Sequence, residues 1–196
     1  MTRSIELSRK TSETDIFVWL NLDGTGKTDI DTGIGYFDHM LSAFARHGLF
    51  DLTVKAKGDL HIDAHHTVED VGIVLGQTLE HALGEKRGIQ RFGHAVVPMD
   101  EALVEAALDL SGRAFVAWGV SFERPMLGQM DTQLFEEFFR ALAGNGLFNL
   151  HVIQRAGHNA HHVAEASFKA VGRALRAAVA IEPRMAGEIP STKGVI

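Results

Sequence analysis

The sequence predicts an internally duplicated α+β protein: two β-β-β-α-β-α halves whose sheets are packed with helices. Three echoes predict it. His65-His66-Thr67-Val68-Glu69 returns as His161-His162-Val163-Ala164-Glu165, and Gly48-Leu49-Phe50-Asp51-Leu52 returns as Gly146-Leu147-Phe148-Asn149-Leu150. The turn Asp23-Gly24-Thr25-Gly26-Lys27 is answered by Asp109-Leu110-Ser111-Gly112-Arg113. The repeating unit is too long for a solenoid, so the expected organisation is two pseudo-repeats, residues 1–90 and 91–196, forming one compact unit.

Each element follows from its local pattern. Residues 4–10 and 14–22 alternate apolar and polar positions, with Ile16, Val18, Leu20 and Leu22 on one face, and read as strands. The Asp23–Gly26 turn leads to a short third strand. Phe37, Leu41 and Phe44 fall at helical spacing in a helix over Tyr36–His47, with Gly48 as its stop. Leu52–Ala56 is a strand. The first His-His-x-x-Glu then opens a helix to about Leu83, burying Val71, Val74, Leu75, Leu79 and Ala82. In the second half Val96-Val97, Leu103–Leu110 and Ala114–Phe122 read as strands and Phe135–Ala143 as a helix. A further strand and the second His-His-x-x-Glu helix, to about Ile181, complete the unit. The tail from Glu182, with Pro183 and Pro190, reads as a loop. Asp63 and Asn159, each two residues before a His-His pair, are expected helix N-caps.

Composition excludes several classes. A chain of 196 residues with 45% apolar and 22% charged residues is an ordinary globular one, able to bury a core. With no cysteine, it has neither disulfides nor thiolate metal sites. A formal charge of −6 argues against a nucleic-acid partner. No apolar run is long enough to span a bilayer, and Thr2-Arg3-Ser4-Ile5-Glu6 does not resemble a secretory signal. No membrane partner and a cytoplasmic location are therefore expected. Histidine stands out, with eleven residues.

Clustering makes those histidines informative. On a helix, the first His and the Glu of each motif stand at i and i+4, the second His and the Glu at i and i+3. The carboxylate shares a side with both rings, which diverge by about 100°. Such divergence suits two metal ions better than one. Aligning the halves places Phe37-Asp38-His39 over Phe135-Glu136-Glu137, so His39 and Glu137 become matching further donors. The candidate ligands are His39, His65, His66, Glu69, Glu137, His161, His162 and Glu165. Imidazole and carboxylate without sulfur suit Mn, Fe, Co or Zn. Mostly neutral ligands leave such an ion a strong Lewis acid. His61, His81, His94, His151 and His158 read as structural or exposed, with His47 intermediate.

Basic groups lie near turns: Arg91 after Gly88-Ile89-Gln90, Arg113 after Ser111-Gly112, and Lys169 one helical turn beyond Glu165. Ser191-Thr192-Lys193-Gly194 adds hydroxyls, an ammonium and loop amides. Together these are the groups that bind a phosphate.

The chain resembles the imidazoleglycerol-phosphate dehydratase family over nearly its whole length. The resemblance rests on Thr11-x-Glu13-Thr14, Gly35-Tyr36-Phe37-Asp38-His39-Met40, His65-His66-Thr67-Val68-Glu69-Asp70 and Pro98-Met99-Asp100-Glu101-Ala102. Asp109-Leu110-Ser111-Gly112-Arg113, His161-His162-x-x-Glu165 and Pro190-Ser191-Thr192-Lys193-Gly194 extend it. It implies a ribosomal-S5-domain-2-like fold, two Mn ions per active site, and a homo-oligomeric 24-mer built from trimers, with sites at subunit interfaces. The family pattern has His where this chain has Glu137. The resemblance also places Glu13, His47, Arg91, Arg113, Lys169, Ser191, Thr192 and Lys193 around a phosphorylated imidazole substrate.

The activity so implied is a step of histidine biosynthesis: dehydration of D-erythro-imidazole glycerol phosphate to imidazole acetol phosphate and water, by a metal-dependent hydro-lyase. The hydrogen lost is not next to a carbonyl. Two metals on the ring nitrogens would favour imidazolate, able to expel the side-chain hydroxyl through a diazafulvene-like intermediate. Proton transfer then falls to Glu13 and Glu165, with Asp100 and Glu101 as weaker candidates. Competing classes are a di-metal hydrolase of a phosphorylated small molecule, which favours bridging carboxylates, and a non-catalytic metal buffer, which leaves the anion-binding groups without a purpose. A small-molecule kinase lacks support without a glycine-rich phosphate loop.

Overall fold

The computed structural model describes residues 3–185 and 187–196. Strands β1 (Ser4–Lys10) and β2 (Thr14–Asn21) form an antiparallel hairpin, in which Ile16, Val18 and Leu20 are buried and alternate with polar or half-exposed neighbours. Strand β3 (Thr28–Asp31) leads into α1 (Gly35–Gly48) and on to β4 (Asp51–Gly58). β4 inserts between β2 and β3, antiparallel to the first and parallel to the second, giving the order β1-β2-β4-β3. Helix α2 (His65–Leu83) closes the half.

The second half repeats the arrangement. Strands β5 (Phe92–Met99), β6 (Ala102–Asp109) and β7 (Phe115–Gly119) are followed by the small hairpin β8 (Met126–Leu127) and β9 (Met130–Asp131). Then come α3 (Gln133–Asn145), β10 (Asn149–Ala156) and α4 (Ala160–Val179). The second sheet has the order β5-β6-β10-β7, the same topology as the first. This is the duplicated α+β architecture read from the echoes.

What the echoes do not reveal is which helices meet. α2 packs on the sheet of its own half and against α3; α4 packs on its own sheet and against α1. The last helix of each half therefore crosses the first helix of the other. Glycine permits both crossings. A Cβ at Gly76 of α2 would lie 2.5 Å from the Leu142 carbonyl oxygen, and one at Gly172 of α4 would fall on the Phe44 carbonyl oxygen. Aromatic rings seal the middle: Phe37 of α1 meets Phe138 of α3 at 5.3 Å, and Phe138 stacks on Phe168 of α4, also at 5.3 Å. Buried residues from both halves belong to one hydrophobic cluster.

Several local expectations are corrected. The left-handed residue that stops α1 is Leu49 (φ 56°), not Gly48, and its N–H reaches the Ala45 and Arg46 carbonyls. Leu147 (φ 52°) repeats this after α3. Such a backbone costs roughly 1–3 kcal/mol at a non-glycine residue. It is offset by burial of the next ring, Phe50 or Phe148, worth about 1.5–3 kcal/mol. Glycine is needed one place earlier, where a Cβ would meet the Phe50 ring at 2.5 Å or the Phe148 ring at 2.7 Å.

The strand expected over Ala114–Phe122 ends at Gly119. Beyond it the chain leaves the sheet and Phe122 packs on Phe135 at 5.2 Å, so its apolar alternation serves helix packing. The β8–β9 hairpin, two residues in each strand, is too short to carry an alternation in the sequence. Helix α4 stops at Val179 rather than Ile181, because the Arg91 and Gln90 amides take the Ala178 and Ala180 carbonyls and Ile181 bridges to Ile89. Asn159 is the N-cap of α4, its side chain accepting from the His161 and His162 amides. In the first half the N-cap position is Ala64 instead; Asp63 still accepts the His65 N–H, at 2.8 Å, from one residue further out.

Candidate metal centre

The α1–α4 crossing brings together residues far apart in sequence. His39 lies on the second turn of α1, and His161 and Glu165 lie one above the other at the start of α4. His39 Nε2 and His161 Nε2 each stand 3.2 Å from Glu165 Oε2. The three donor atoms lie within 4.8 Å of one another. Burial would push the Glu165 carboxyl up, but the Lys169 ammonium, 2.7 Å from Oε1, and the His39 ring outweigh it and hold the group at about 2. The carboxylate is thus kept ionised in a half-apolar setting. Two imidazole nitrogens gathered around one anionic oxygen match the N/O donor set of a first-row divalent ion.

Tyr36, on the first turn of α1, borders this cluster. Its ring is edge-on to His161 at 5.2 Å and 6.4 Å from His39. Its hydroxyl is buried without a hydrogen-bond partner, and burial with the Glu165 charge pushes its pKa up, so it remains a neutral donor. His47, at the last turn of α1, has its pKa pushed down by burial and by the Lys169 and Arg173 charges.

The α2–α3 crossing holds the matching set more loosely. His65 Nε2 is 4.0 Å from Glu69 Oε2. His65 and Glu137 line one cavity of about 580 Å³. Among the described residues the three-donor groups within 4.8 Å are His39–His161–Glu165 and Glu13–Asp59–His66, so Glu137, His65 and Glu69 do not close to that spacing. The second histidine of each motif faces elsewhere. His66 Nδ1 meets Asp59 Oδ2 at 2.9 Å, and His162 Nδ1 meets Glu101 Oε2 at 2.7 Å. The eight sequence-predicted donors therefore fall in separate groups within the chain.

The basic residues divide as well. Lys169 pairs with Glu165, and His47 feels the charges of both. Arg91 is elsewhere, with a left-handed backbone (φ 69°), paired with Asp109 through Nε at 2.7 Å and Nη2 at 3.1 Å. Its Nη1 donates to the Pro190 carbonyl at 2.8 Å, tying down the tail that carries Ser191, Thr192 and Lys193. A Cβ at Gly112 would meet Ile196 at 3.0 Å, so the exposed Arg113 loop adjoins the same tail. Glu13, exposed in the β1–β2 turn, joins Asp59 and His66, away from Glu165's own group. Sequence reasoning gave no role to Tyr36 or Asp59. Tyr36 sits inside a quoted motif as the only tyrosine; Asp59 had no signal beyond its place six residues before His65.

Fold and site define a duplicated α+β protein that mounts histidine–carboxylate donor sets where helices of opposite halves cross. The family model described as imidazoleglycerol-phosphate dehydratase matches residues 32–175. Imidazoleglycerol-phosphate dehydratases of Acidiphilium cryptum and Granulibacter bethesdensis are 68% and 66% identical over 196 residues, covering all of both chains. The crystal structure of the Pyrococcus furiosus enzyme superposes with a TM-score of 0.83 at 37% identity, covering 97% of this chain and all of that one. The Staphylococcus aureus enzyme gives 0.80 at 35% identity, covering 91% and 100%. The chain belongs to the imidazoleglycerol-phosphate dehydratase family.

Proposed function

We propose that the chain is a hydro-lyase that dehydrates D-erythro-imidazole glycerol phosphate to imidazole acetol phosphate in histidine biosynthesis. Beside the family membership, the observation that carries the reading is the His39–His161–Glu165 cluster with Lys169 at its edge. Metal is held, in this reading, by His39, His65, His66, Glu69, Glu137, His161, His162 and Glu165, as two Mn ions per active site. The donor chemistry fits, since nitrogen and carboxylate oxygen are what Mn accepts. Bound metal supplies Lewis-acid polarisation of the imidazole ring.

The chain's own side chains do the rest. Arg91, Arg113, Ser191, Thr192 and Lys193 bind the phosphate, with Lys169 and His47 at the metal-side edge of the substrate. The hydroxyl on the carbon next to the ring leaves as water after taking a proton, and the neighbouring carbon gives its proton to a base. The resulting enol becomes the ketone as its hydroxyl proton passes to the ring-side carbon. Glu13 and Glu165 are the proton-transfer groups. That they occupy different clusters, like the two kinds of basic group, supports a site assembled between subunits, in a 24-mer of trimers. Residues 1–90 and 91–196 serve as the two halves of one compact unit, and a cytoplasmic location fits a chain in which no helix among the described residues is long and apolar enough to cross a membrane.

The test is to incubate Mn-loaded protein with imidazole glycerol phosphate and follow the ketone. Ketone formation that stops on chelation is the expected result. Release of inorganic phosphate without ketone would instead favour a hydrolase.

A further inference from the structure

The two halves solve one orientation problem with different carboxylates. β2 starts at Thr14 and β6 at Ala102, so Glu13 and Glu101 hold the same place, each the last residue of its hairpin turn. Their surroundings differ. Glu101 Oε2 accepts from His162 Nδ1 at 2.7 Å, while Oε1 accepts the Asn159 amide at 2.9 Å and the His158 amide at 3.4 Å. Both oxygens are engaged. Glu13 is exposed and makes no comparable bond to His66. The bond to His66 Nδ1 is made by Asp59, just past the end of β4, at 2.9 Å. The second half has no carboxylate there: counted from Leu150 as Asp59 is from Leu52, the position is Gly157, packed against the Ala102 backbone, where a Cβ would lie 2.6 Å from Ala102 Cα.

An ionised carboxylate only accepts, so the nitrogen that faces it must carry the proton. Asp59 Oδ1 is buried without a partner and the side chain is 11% exposed, which leaves Nδ1–H of His66 as its bonded donor. In the neutral ring the lone pair is then on Nε2, the nitrogen that points away from this carboxylate. His162 Nε2 lies 3.6 Å from Oδ2 of Asp100, whose side chain is 79% exposed. A histidine held in this way by a carboxylate on one nitrogen presents the other as a fixed, more basic metal donor.

We propose that Asp59 and Glu101 are positioning residues that fix His66 and His162 for metal binding through Nε2, and that Asp59, by taking this duty, leaves Glu13 free for proton transfer. The inference rests on reading His66 and His162 as metal ligands. It also removes Glu101 from the proton-transfer candidates, since both of its oxygens are committed to the loop and ring that open α4.

The experiment measures Mn stoichiometry and affinity by chelator competition on the assembled protein, with the melting temperature of the metal-free form as a control. Asp59→Asn and Glu101→Gln, which can donate to Nδ1 and so favour the wrong tautomer, should weaken Mn binding by about 10- to 100-fold at unchanged stoichiometry. Glu13→Gln should keep wild-type Mn affinity and lose kcat. His66→Ala and His162→Ala should lose ions outright. If the alanine variants bind Mn as wild type does, the ligand reading fails. If they lose metal while Asp59→Asn and Glu101→Gln keep wild-type affinity, the positioning inference fails and the ligand reading stands. Glu13→Gln that weakens Mn as Asp59→Asn does would overturn the division of labour. Glu101 also anchors backbone amides, so if Glu101→Gln does not fold, Asp59→Asn, whose carboxylate bonds a ring alone, decides the outcome.

Discussion

The α1–α4 and α2–α3 crossings share a backbone design and differ in what surrounds the donors. Each has a glycine in the last helix of one half against a carbonyl of the first helix of the other, and each places a donor of that first helix by the first His of a His-His-x-x-Glu motif. Around His39, His161 and Glu165 stand Tyr36, His47 and Lys169. The equivalents, counted from Glu137 and Glu69, are Leu134, Asn145 and Ile73. One crossing carries a lysine, a tyrosine and a third histidine; the other has a leucine, an asparagine and an isoleucine in their places and adds a second carboxylate. The halves share what holds the helices together, whereas the residues that differ set the charge around each donor group.

Several substitutions can break this comparison. The largest effect is expected for Glu165→Gln, which takes away the carboxylate proposed both as a metal donor and as a proton-transfer group. Its kcat should fall by about 10²-fold or more, and full activity with both ions retained would remove Glu165 from the chemistry. Next come Gly76→Ala and Gly172→Ala. Because the crossings share their backbone design, each should cost about 1–3 kcal/mol in denaturant unfolding; a large cost at one and none at the other would refute the structural equivalence.

Lys169→Met should lower kcat/KM by roughly tenfold through loss of a charge-assisted bond, while Ile73→Met, its counterpart, should leave turnover near wild type. The same lysine governs a pH effect in metal-free protein. Glu165 is depressed from 4.5 to about 2, so its contribution is present above the ordinary carboxylate value and is lost as pH falls towards 2. Acid titration of stability should show that loss, with a smaller slope in Lys169→Met. The smallest effect is expected for Glu137→Ala: weaker metal binding at the α2–α3 crossing with the His39 cluster intact. Unchanged metal content and affinity would exclude Glu137 as a ligand.

Much of this protein is legible because it is local. The alternation of Ile16, Val18 and Leu20 is a property of eight consecutive residues, and the spacing of His161 and Glu165 within one helical turn needs no partner. Repeated motifs carry the duplication for the same reason. Gly48 is ambiguous in the sequence because glycine suits either a left-handed stop or a close approach, and the neighbours that choose, the Phe50 ring and Gly172, come from packing. The bond of His39 to Glu165 spans 126 positions, and that of His66 to Asp59 depends on how a loop folds back over a helix start.

By itself, the sequence determined most of the elements, their duplication and the donor types, since these depend on periodicity and on residue chemistry. Only the tertiary structure decided that the helices pair across the halves, that His39 shares Glu165 with His161, and that Asp59 rather than Glu13 holds His66. The first two are set by glycine-permitted crossings and burial of rings from both halves, so that no single stretch of chain contains both sides of the contact; the third spans seven residues and is set by how the loop before α2 folds back over the helix start.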